Sequence, residues 1–333
     1  MSKEEIKSLP LAVLRRTENT SNIRFDTEKC CQPNDVHMWV SKAFVNFALL
    51  RRTESIRKLR LHSDKGCQPH DVHLWVSKAL DLKVQELDLD LFLHEKILLP
   101  LRLSTCESLV VLKLRGRIQP TLNSSFHVYL PSLKILHIRE SCSTLQINAP
   151  SLEVLSLVDY SSAPRQYEYT NLSNLDEASI FICKRVDFNN LYTFLKGLSN
   201  VKSLALSSKT FHFLSMEDKL DNLHLLTFHN LLFLWVEISK NWSWNMLVSF
   251  LQNAPKLKDL AITRNIEINS RRKEVGNPSW VEPLISPTCL RSSLITFEFV
   301  GIQNIKTELD FTRYIVSHSS KLQKVKIFTP TSK

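Results

Sequence analysis

One short stretch of the 333-residue chain has the spacing of metal ligands. Cys67, His70 and His73 follow one another at intervals of three residues. Zinc is usually held by four side chains, or by three with one position open to water. No fourth ligand is obvious nearby, and a second copy of the stretch has Asn34 where His70 stands. The sequence therefore favours a turn before a helix, and we expect neither a metal nor a cofactor.

Cysteine–histidine catalysis is the other chemistry that these residue types allow. The chain has seven cysteines and eleven histidines, and the partners of a catalytic pair need not be close in sequence. No motif singles out one pair. Only five glycines are present, and the glycine patterns of nucleotide-binding loops and of hydrolase nucleophiles do not occur. We therefore expect a protein that is not an enzyme; a hydrolase would show itself by a thiol of low pKa.

The charge balance is basic. The formal net charge is +10 and the pI is about 9.2, which is compatible with nucleic acid, an anionic membrane or an acidic partner. The positive charge is spread along the chain, and its densest run, residues 271–273, is followed by Glu274. This weighs against nucleic acid, which remains an alternative that a steep salt dependence of DNA binding would reveal.

Cysteine usage and hydropathy favour a reducing compartment. The cysteines are odd in number and form no CxxC pair, which is typical of thiols rather than of a disulfide framework. The longest apolar run, residues 231–236, is far shorter than the roughly 20 residues of a membrane span. We expect a cytoplasmic or nuclear protein with no membrane partner.

One phrase of alternating apolar residues recurs along most of the chain and predicts short strands with one buried face. The first five copies are 28, 25, 24 and 19 residues apart, mostly within the range of leucine-rich repeats. The copies occupy residues 56–61, 84–89, 109–114, 133–138, 152–157, 201–206, 223–228, 257–262, 294–299 and 322–327, with a weaker copy at 175–180.

Helical spacing appears between several of these phrases. Val72, Trp75, Val76 and Ala79 fall on one helical face, with Asp71 as the expected N-cap. The same spacing recurs at residues 191–198 and 247–254. Repeated strand–helix units predict an α/β leucine-rich-repeat solenoid, with a curved parallel sheet on the concave side and helices and loops on the convex side.

A second repetition is sharper than structural periodicity requires. Residues 14–44 and 50–80 are offset by 36 and agree at 18 positions, which indicates a duplication. We predict an N-terminal cap at residues 1–49, leucine-rich repeats at 50–275 and a separate C-terminal unit at 276–333.

The C-terminal residues carry the most specific pattern. Trp280, Pro283 and residues 289–294 precede a strand ending near Gly301, and residues 308–315 then precede a closing strand. This order resembles the FBD pattern of the large plant family of F-box proteins with leucine-rich repeats. Residues 307–310 also have the form of a capping box for the last helix.

The resemblance implies the substrate receptor of an SCF-type ubiquitin ligase, in which an F-box docks a Skp-type adaptor and the repeats hold a protein substrate. The F-box of that family opens with a Leu-Pro pair, and here only Leu9-Pro10 resembles it. Residues 1–13 offer little apolar surface against the roughly 800 Å² per partner of a standard interface. We therefore expect weak adaptor binding, and a truncated relative without ligase function is a further alternative.

If the repeats hold a partner, the side chains between the buried anchors of the early strands should form its surface, because strand side chains alternate between faces. Several of them are basic, Glu86 and Asp88 interrupt the pattern, and an acidic protein segment is the natural complement. The predicted partner-binding residues are Lys58, Arg60, Lys113, Arg115, His137 and Arg139.

Overall fold

The computed structural model describes residues 21–26, 45–46, 49–63, 67–93, 95–119, 125–139, 144–160, 166–183, 187–215, 226–239, 242, 244–264, 280–303 and 305–329. The chain divides into two compact units. The first unit comprises Met1–Glu153 and Arg165–Asn174, and the second comprises Val154–Pro164 and Leu175–Lys333.

Short strands dominate the described residues. The strands are β1 (Asn22–Asp26), β2 (Lys58–Ser63), β3 (Glu86–Leu91), β4 (Ile97–Leu98), β5 (Val111–Gly116), β6 (Ile118–Gln119), β7 (Ser125–Tyr129), β8 (Ile135–Arg139), β9 (Thr144–Asn148), β10 (Val154–Asp159), β11 (Gln166–Asn171), β12 (Glu177–Ile182), β13 (Ser203–Leu206), β14 (Phe233–Ile238), β15 (Asp259–Arg264), β16 (Thr296–Val300) and β17 (Lys324–Phe328).

Six labelled helices and one short 3₁₀ helix (Leu101–Thr105) connect strands in the described part of the chain. The helices are α1 (Pro69–Asp81), α2 (Phe188–Lys196), α3 (Ser208–Ser215), α4 (Trp244–Gln252), α5 (Thr288–Ser292) and α6 (Lys306–His318).

The main sheet of the first unit has the strand order β1-β2-β3-β5-β8, and the neighbouring strands are parallel. Asn22 lies opposite Lys58, so the two copies of the duplicated segment form adjacent strands in equivalent positions. Strand β1 was not predicted, although the duplication carries that information.

Two small parallel sheets also belong to the first unit. One pairs β4 with β6, and the other has the order β11-β9-β7. Helices and loops were predicted for these connections, and strands form part of them. A physical reason is repeat length: an extended residue advances about 3.3 Å and a helical residue about 1.5 Å, so a short repeat can return to the next strand more easily in extended form.

The second unit contains a parallel sheet with the order β10-β12-β13-β14-β15-β16-β17. Helices α2 to α6 all lie in the connections between its strands. The last two strands, β16 and β17, continue the same parallel ladder beyond β15. The C-terminal region is therefore built on the same sheet as the repeats before it.

The buried leucines stack from strand to strand. Leu59, Leu87, Leu112 and Leu136 are directly opposite one another on successive strands, and each is fully buried. The predicted α/β class with a parallel sheet of leucine-rich repeats is confirmed. The curvature of the array stays a prediction.

The predicted helical faces are also buried. Val72, Trp75, Val76 and Ala79 of α1 have no exposed surface. The corresponding apolar residues of α2 and α4 are buried as well: Leu191, Phe194, Leu195, Leu247, Phe250 and Leu251. These faces supply the core that holds the connections against the sheets, because apolar burial is the main favourable term in folding.

Both predicted helix starts were wrong. Helix α1 has Gln68 as its N-cap, and Asp71 instead accepts a hydrogen bond from the Gln68 backbone N–H at 3.3 Å. Proline at the first helical position sets that start, because its fixed φ suits a helix and its missing N–H is not needed there. Helix α6 begins after Ile305, without a side-chain cap, and Asp310 pairs with Arg313 at 2.9 Å.

One predicted strand was misplaced. Residues 226–228, the described part of the phrase at 223–228, are not in a strand. The strand of that repeat is β14, which follows Leu231. Its buried positions are Leu234, Val236 and Ile238. The sequence obscured their alternation because Phe233 and Trp235 on the other face are also apolar.

The predicted domain boundaries stay predictions. The boundary at 275/276 and most of the first duplicated copy lie outside the described residues.

Candidate functional site

The side chains that alternate with the buried leucines form what we call the open face of each sheet. In the first unit these side chains stand in rows across β2, β3, β5 and β8, because the parallel strands are in register. One row contains Arg60, Asp88, Lys113 and His137. The next row contains His62, Asp90, Arg115 and Arg139. Lys58 lies on the same face, opposite Glu86 and two residues before Arg60, so all six predicted partner-binding residues are on one face.

Strand β3 places carboxylates between the basic residues. Asp88 Oδ1 accepts a hydrogen bond from Arg115 Nη2 at 2.9 Å, and Asp88 Oδ2 lies 3.5 Å from Arg60 Nε. Asp90 lies 3.3 Å from Arg115 and 3.4 Å from His62. Asp88 and Asp90 are almost fully covered, so the arginines screen them from water. Part of the predicted basic surface is thereby neutralised within the sheet.

The remaining predicted residues lie at the edges of this ionic cluster. Glu86 pairs with Lys58 at 3.0 Å. Lys113 and His137 are half-buried, and Arg139 at the end of β8 is exposed. Burial lowers the pKa of His137, and the nearby cations Lys113 and Arg115 lower it further. The site therefore disfavours a further positive charge at His137.

The open face of the second unit is different in character. Phe181 of β12 and Trp235 of β14 are stacked, with their ring centroids 5.5 Å apart. The two rings meet above β13, where the small residue Ala205 lies directly opposite Trp235. Trp235 Nε1 donates a hydrogen bond to Thr263 on β15 at 3.1 Å, and Phe233 on β14 is 37% exposed.

This aromatic cluster was not predicted from the sequence. Its signal was the unbroken apolar run at 231–236, in which the open-face positions are aromatic while most other strands place polar residues there. Exposed aromatic side chains in the middle of a sheet are a more specific indication of binding than single exposed apolar residues elsewhere.

The residues with metal-ligand spacing do not converge. Cys67 is buried before α1, whereas His70 and His73 are exposed on that helix. His73 Nδ1 lies 3.1 Å from the carbonyl oxygen of Leu98. Within the described residues, no group of three or more His, Cys, Asp or Glu side chains is placed to hold a metal ion.

The thiol of Cys289 is buried in the described part of the chain. Burial raises its pKa to about 12, and its Sγ donates to the carbonyl of Leu251 at 3.4 Å. Since the thiolate is the nucleophilic form, this cysteine is suited to packing rather than to catalysis.

Among the described helices, none is long and apolar enough to cross a membrane.

Comparison with known proteins identifies the C-terminal region and several relatives. Residues 282–327 match the family model FBD. The chain is 26% identical over 289 residues to an FBD-associated F-box protein of Arabidopsis thaliana, covering 70% of this chain and 64% of that protein. It is 29% identical over 210 residues to an F-box/FBD/LRR-repeat protein of the same plant, covering 61% of this chain and 46% of that one.

The chain thus spans between about half and two thirds of the length of these curated relatives. No solved structure matches it.

Proposed function

We propose that this chain, a relative of the plant F-box proteins with leucine-rich repeats and an FBD region, is the substrate-holding part of an SCF-type ubiquitin-ligase receptor. The family resemblance read from the sequence is confirmed by the FBD match and by the Arabidopsis relatives. A protein-interaction role follows from the family. The ligase role, the absence of catalysis and a cytoplasmic or nuclear location are proposals.

The observation that carries the proposal is the pair of open faces. The parallel register lines up side chains from successive repeats in rows, and such rows can contact a partner over several repeats at once. Apolar anchors hold the rows from the opposite side of each sheet, so the surface is already arranged before a partner binds. A preorganised surface loses less conformational entropy on binding.

Charge on the open face of the first unit favours a protein over nucleic acid. Glu86, Asp88 and Asp90 stand among the basic side chains and pair with them. A phosphate backbone presents charge of one sign, and carboxylates in the middle of the row would repel it. A protein segment with acidic side chains can instead pair with Lys113, which lies next to Asp88, and with Arg139, which Arg115 separates from Asp90.

Leu9-Pro10, the pair that resembles the opening of an F-box, lies outside the described part of the chain. We expect these 333 residues by themselves to retain a Skp-type adaptor poorly, because residues 1–13 carry few apolar side chains for an interface of about 800 Å² per partner.

A fusion experiment tests the substrate-holding role. Proteins captured by the chain are identified first, and their half-lives are then measured in plant cells that express either the chain alone or the chain fused to the F-box of a relative. The fusion should shorten the half-lives and increase ubiquitylation of the captured proteins, and the chain alone should lengthen the half-lives or leave them unchanged. If the fusion binds the adaptor but the ubiquitylation of the captured proteins is the same with and without the fused F-box, the proposal is overturned.

A further inference from the structure

We infer that the open face of the second unit binds a peptide segment that carries an arginine or lysine beside apolar side chains. The inference rests on the proposed protein-binding function and assigns one surface and one partner chemistry to it. The surface consists of the open-face positions of β12 to β15, with Phe181, Phe233 and Trp235 at its centre.

The aromatic residues form an anchoring site rather than part of the core. Phe181, Phe233 and Trp235 point away from the buried positions Ile180, Leu234 and Val236, because neighbouring strand residues face opposite sides. All three retain exposed surface. The stack of Phe181 on Trp235 and the hydrogen bond from Trp235 to Thr263 hold the rings in place. Rigid aromatic side chains in a defined position are frequent hot spots of protein interfaces.

Small neighbours keep the aromatic cluster accessible. In the row of Trp235, the adjacent strands carry Ala205 on β13 and Ala261 on β15. In the row of Phe233, β13 carries Ser203. Strands in a sheet are about 4.8 Å apart, so these short side chains leave room for a ligand side chain to lie against the rings.

The charged side chains on this face determine the sign of the charge that the ligand must carry. The described open-face positions of β12 to β15 carry three carboxylates, Glu177, Glu237 and Asp259, and no cationic side chain. Asp259 stands directly beside Phe233, and Glu177 lies in the same row, two strands from Phe233 on the other side. Glu237 accepts hydrogen bonds from the backbone and hydroxyl of Ser208 at 3.3 Å, so it is fixed at the end of β14.

These features together fit a cation flanked by apolar groups. A guanidinium or ammonium group can lie over an aromatic ring and pair with a carboxylate at the same time. An acidic ligand would face repulsion from all three carboxylates. The chemistry required here is opposite in sign to that predicted for the open face of the first unit, so the two surfaces can be tested separately.

Selection from a random-peptide display library on the full chain tests the inference. We expect the selected peptides to contain Arg or Lys next to Phe, Trp, Leu or Ile. Binding of the best peptide should weaken about tenfold or more in Trp235→Ala, as for a hot-spot residue, and in the double variant Glu177→Lys, Asp259→Lys. Phe233→Ser is a third variant, at a partly exposed residue. It should also weaken binding of the peptide, and it keeps the test valid if either of the other two variants fails to fold.

The matched control is charge reversal at Arg313→Glu, an exposed position of α6 outside the open faces, which should leave the affinity of the selected peptide unchanged. An acidic consensus, or peptide binding that survives the second-unit variants, would overturn the inference. Loss of binding only in a variant with the exposed Arg139→Glu on the open face of the first unit would keep the protein-binding function and reject this surface. Self-association of the chain that Trp235→Ala abolishes would show a second copy as the occupant and would also reject the inference.

Discussion

Arg264, the last residue of β15, forms a buried ion pair with Glu308 of α6. Both side chains are almost completely buried, and burial lowers the pKa of Arg264. Glu308 Oε2 also accepts a hydrogen bond from the backbone N–H of Gln303 at 2.8 Å. This pair fixes the helix of the FBD region against a strand of the preceding repeat, so the two regions should unfold together.

Replacing Glu308 by Gln should destabilise the protein strongly. The amide oxygen can still accept from Gln303, but the positive charge of Arg264 loses its partner, and breaking a buried pair typically costs about 3–5 kcal/mol. The double variant Arg264→Met, Glu308→Gln should cost much less than the two single changes added together. Urea unfolding of the four proteins gives the coupling energy.

The exposed pair of Arg313 and Asp310 on the same helix is the control. Arg313→Met should change the unfolding free energy by no more than about 1 kcal/mol, the range of surface salt bridges. Additive effects of Arg264→Met and Glu308→Gln would contradict a coupled, buried pair.

The stacked leucines give a second prediction. Leu112→Ala should lower the unfolding free energy by about 2–5 kcal/mol, because it removes buried apolar surface and leaves a cavity. Leu101→Ala is the matched change at a residue that is 72% exposed, and it should stay within about 0.5 kcal/mol of the unchanged chain. Equal losses in the two variants, measured by urea unfolding, would be incompatible with the described core.

His137 predicts a pH dependence of stability. Its pKa in the folded chain is lowered by burial and by Lys113 and Arg115, whereas in the unfolded chain it is close to its ordinary value of about 6.5. Below about pH 6.5 the unfolded state therefore binds more protons, and stability falls as the pH drops towards the lowered pKa.

His137→Gln should reduce the loss of stability between pH 7.5 and pH 5.5, measured as the shift in urea midpoint. His70→Gln, at an exposed position of α1, should leave that loss unchanged. A His137→Gln protein with the same pH dependence as the unchanged chain would show that His137 does not resist protonation.

Gly116 gives a prediction about backbone conformation. Its φ is +102°, and a Cβ atom there would lie 2.0 Å from the carbonyl oxygen of Leu91 on the neighbouring strand. Gly116→Ala should therefore destabilise the protein by more than about 1 kcal/mol. Gly197, which follows α2, has an ordinary right-handed φ of −65°. Gly197→Ala should therefore be neutral or slightly stabilising. Thermal unfolding that ranks the two variants in the reverse order would contradict this backbone assignment.

The sequence predicted the core well because one physical signal determines it. Leucines that alternate with other residues must face one side of a strand, and Leu59, Leu87 and Leu112 do so. The signal failed at β14, where Phe233 and Trp235 make the open face apolar as well and the period of two disappears. Hydropathy alone cannot distinguish two apolar faces.

The candidate site was predicted only in part. Alternation placed Arg60 and Arg115 on one face, but their shared partner Asp88 depends on the register of three strands, which the sequence does not specify. The aromatic stack of Phe181 and Trp235 was missed for the same reason. The pair of Arg264 and Glu308 joins residues far apart in the chain, and nothing in the local sequence of either residue marks the other.

Quantitative capture from plant extract shows whether the open faces hold a protein partner. Three baits are compared: the unchanged chain, a variant with Arg139→Glu and Asp259→Lys on the open faces, and a variant with Lys209→Glu and Arg313→Glu at exposed helix positions elsewhere. We predict that proteins enriched by the unchanged chain are lost with the open-face variant and retained with the helix variant, while all three baits unfold at similar urea concentrations. Equal recovery of those proteins by the open-face variant would show that the open faces do not hold them.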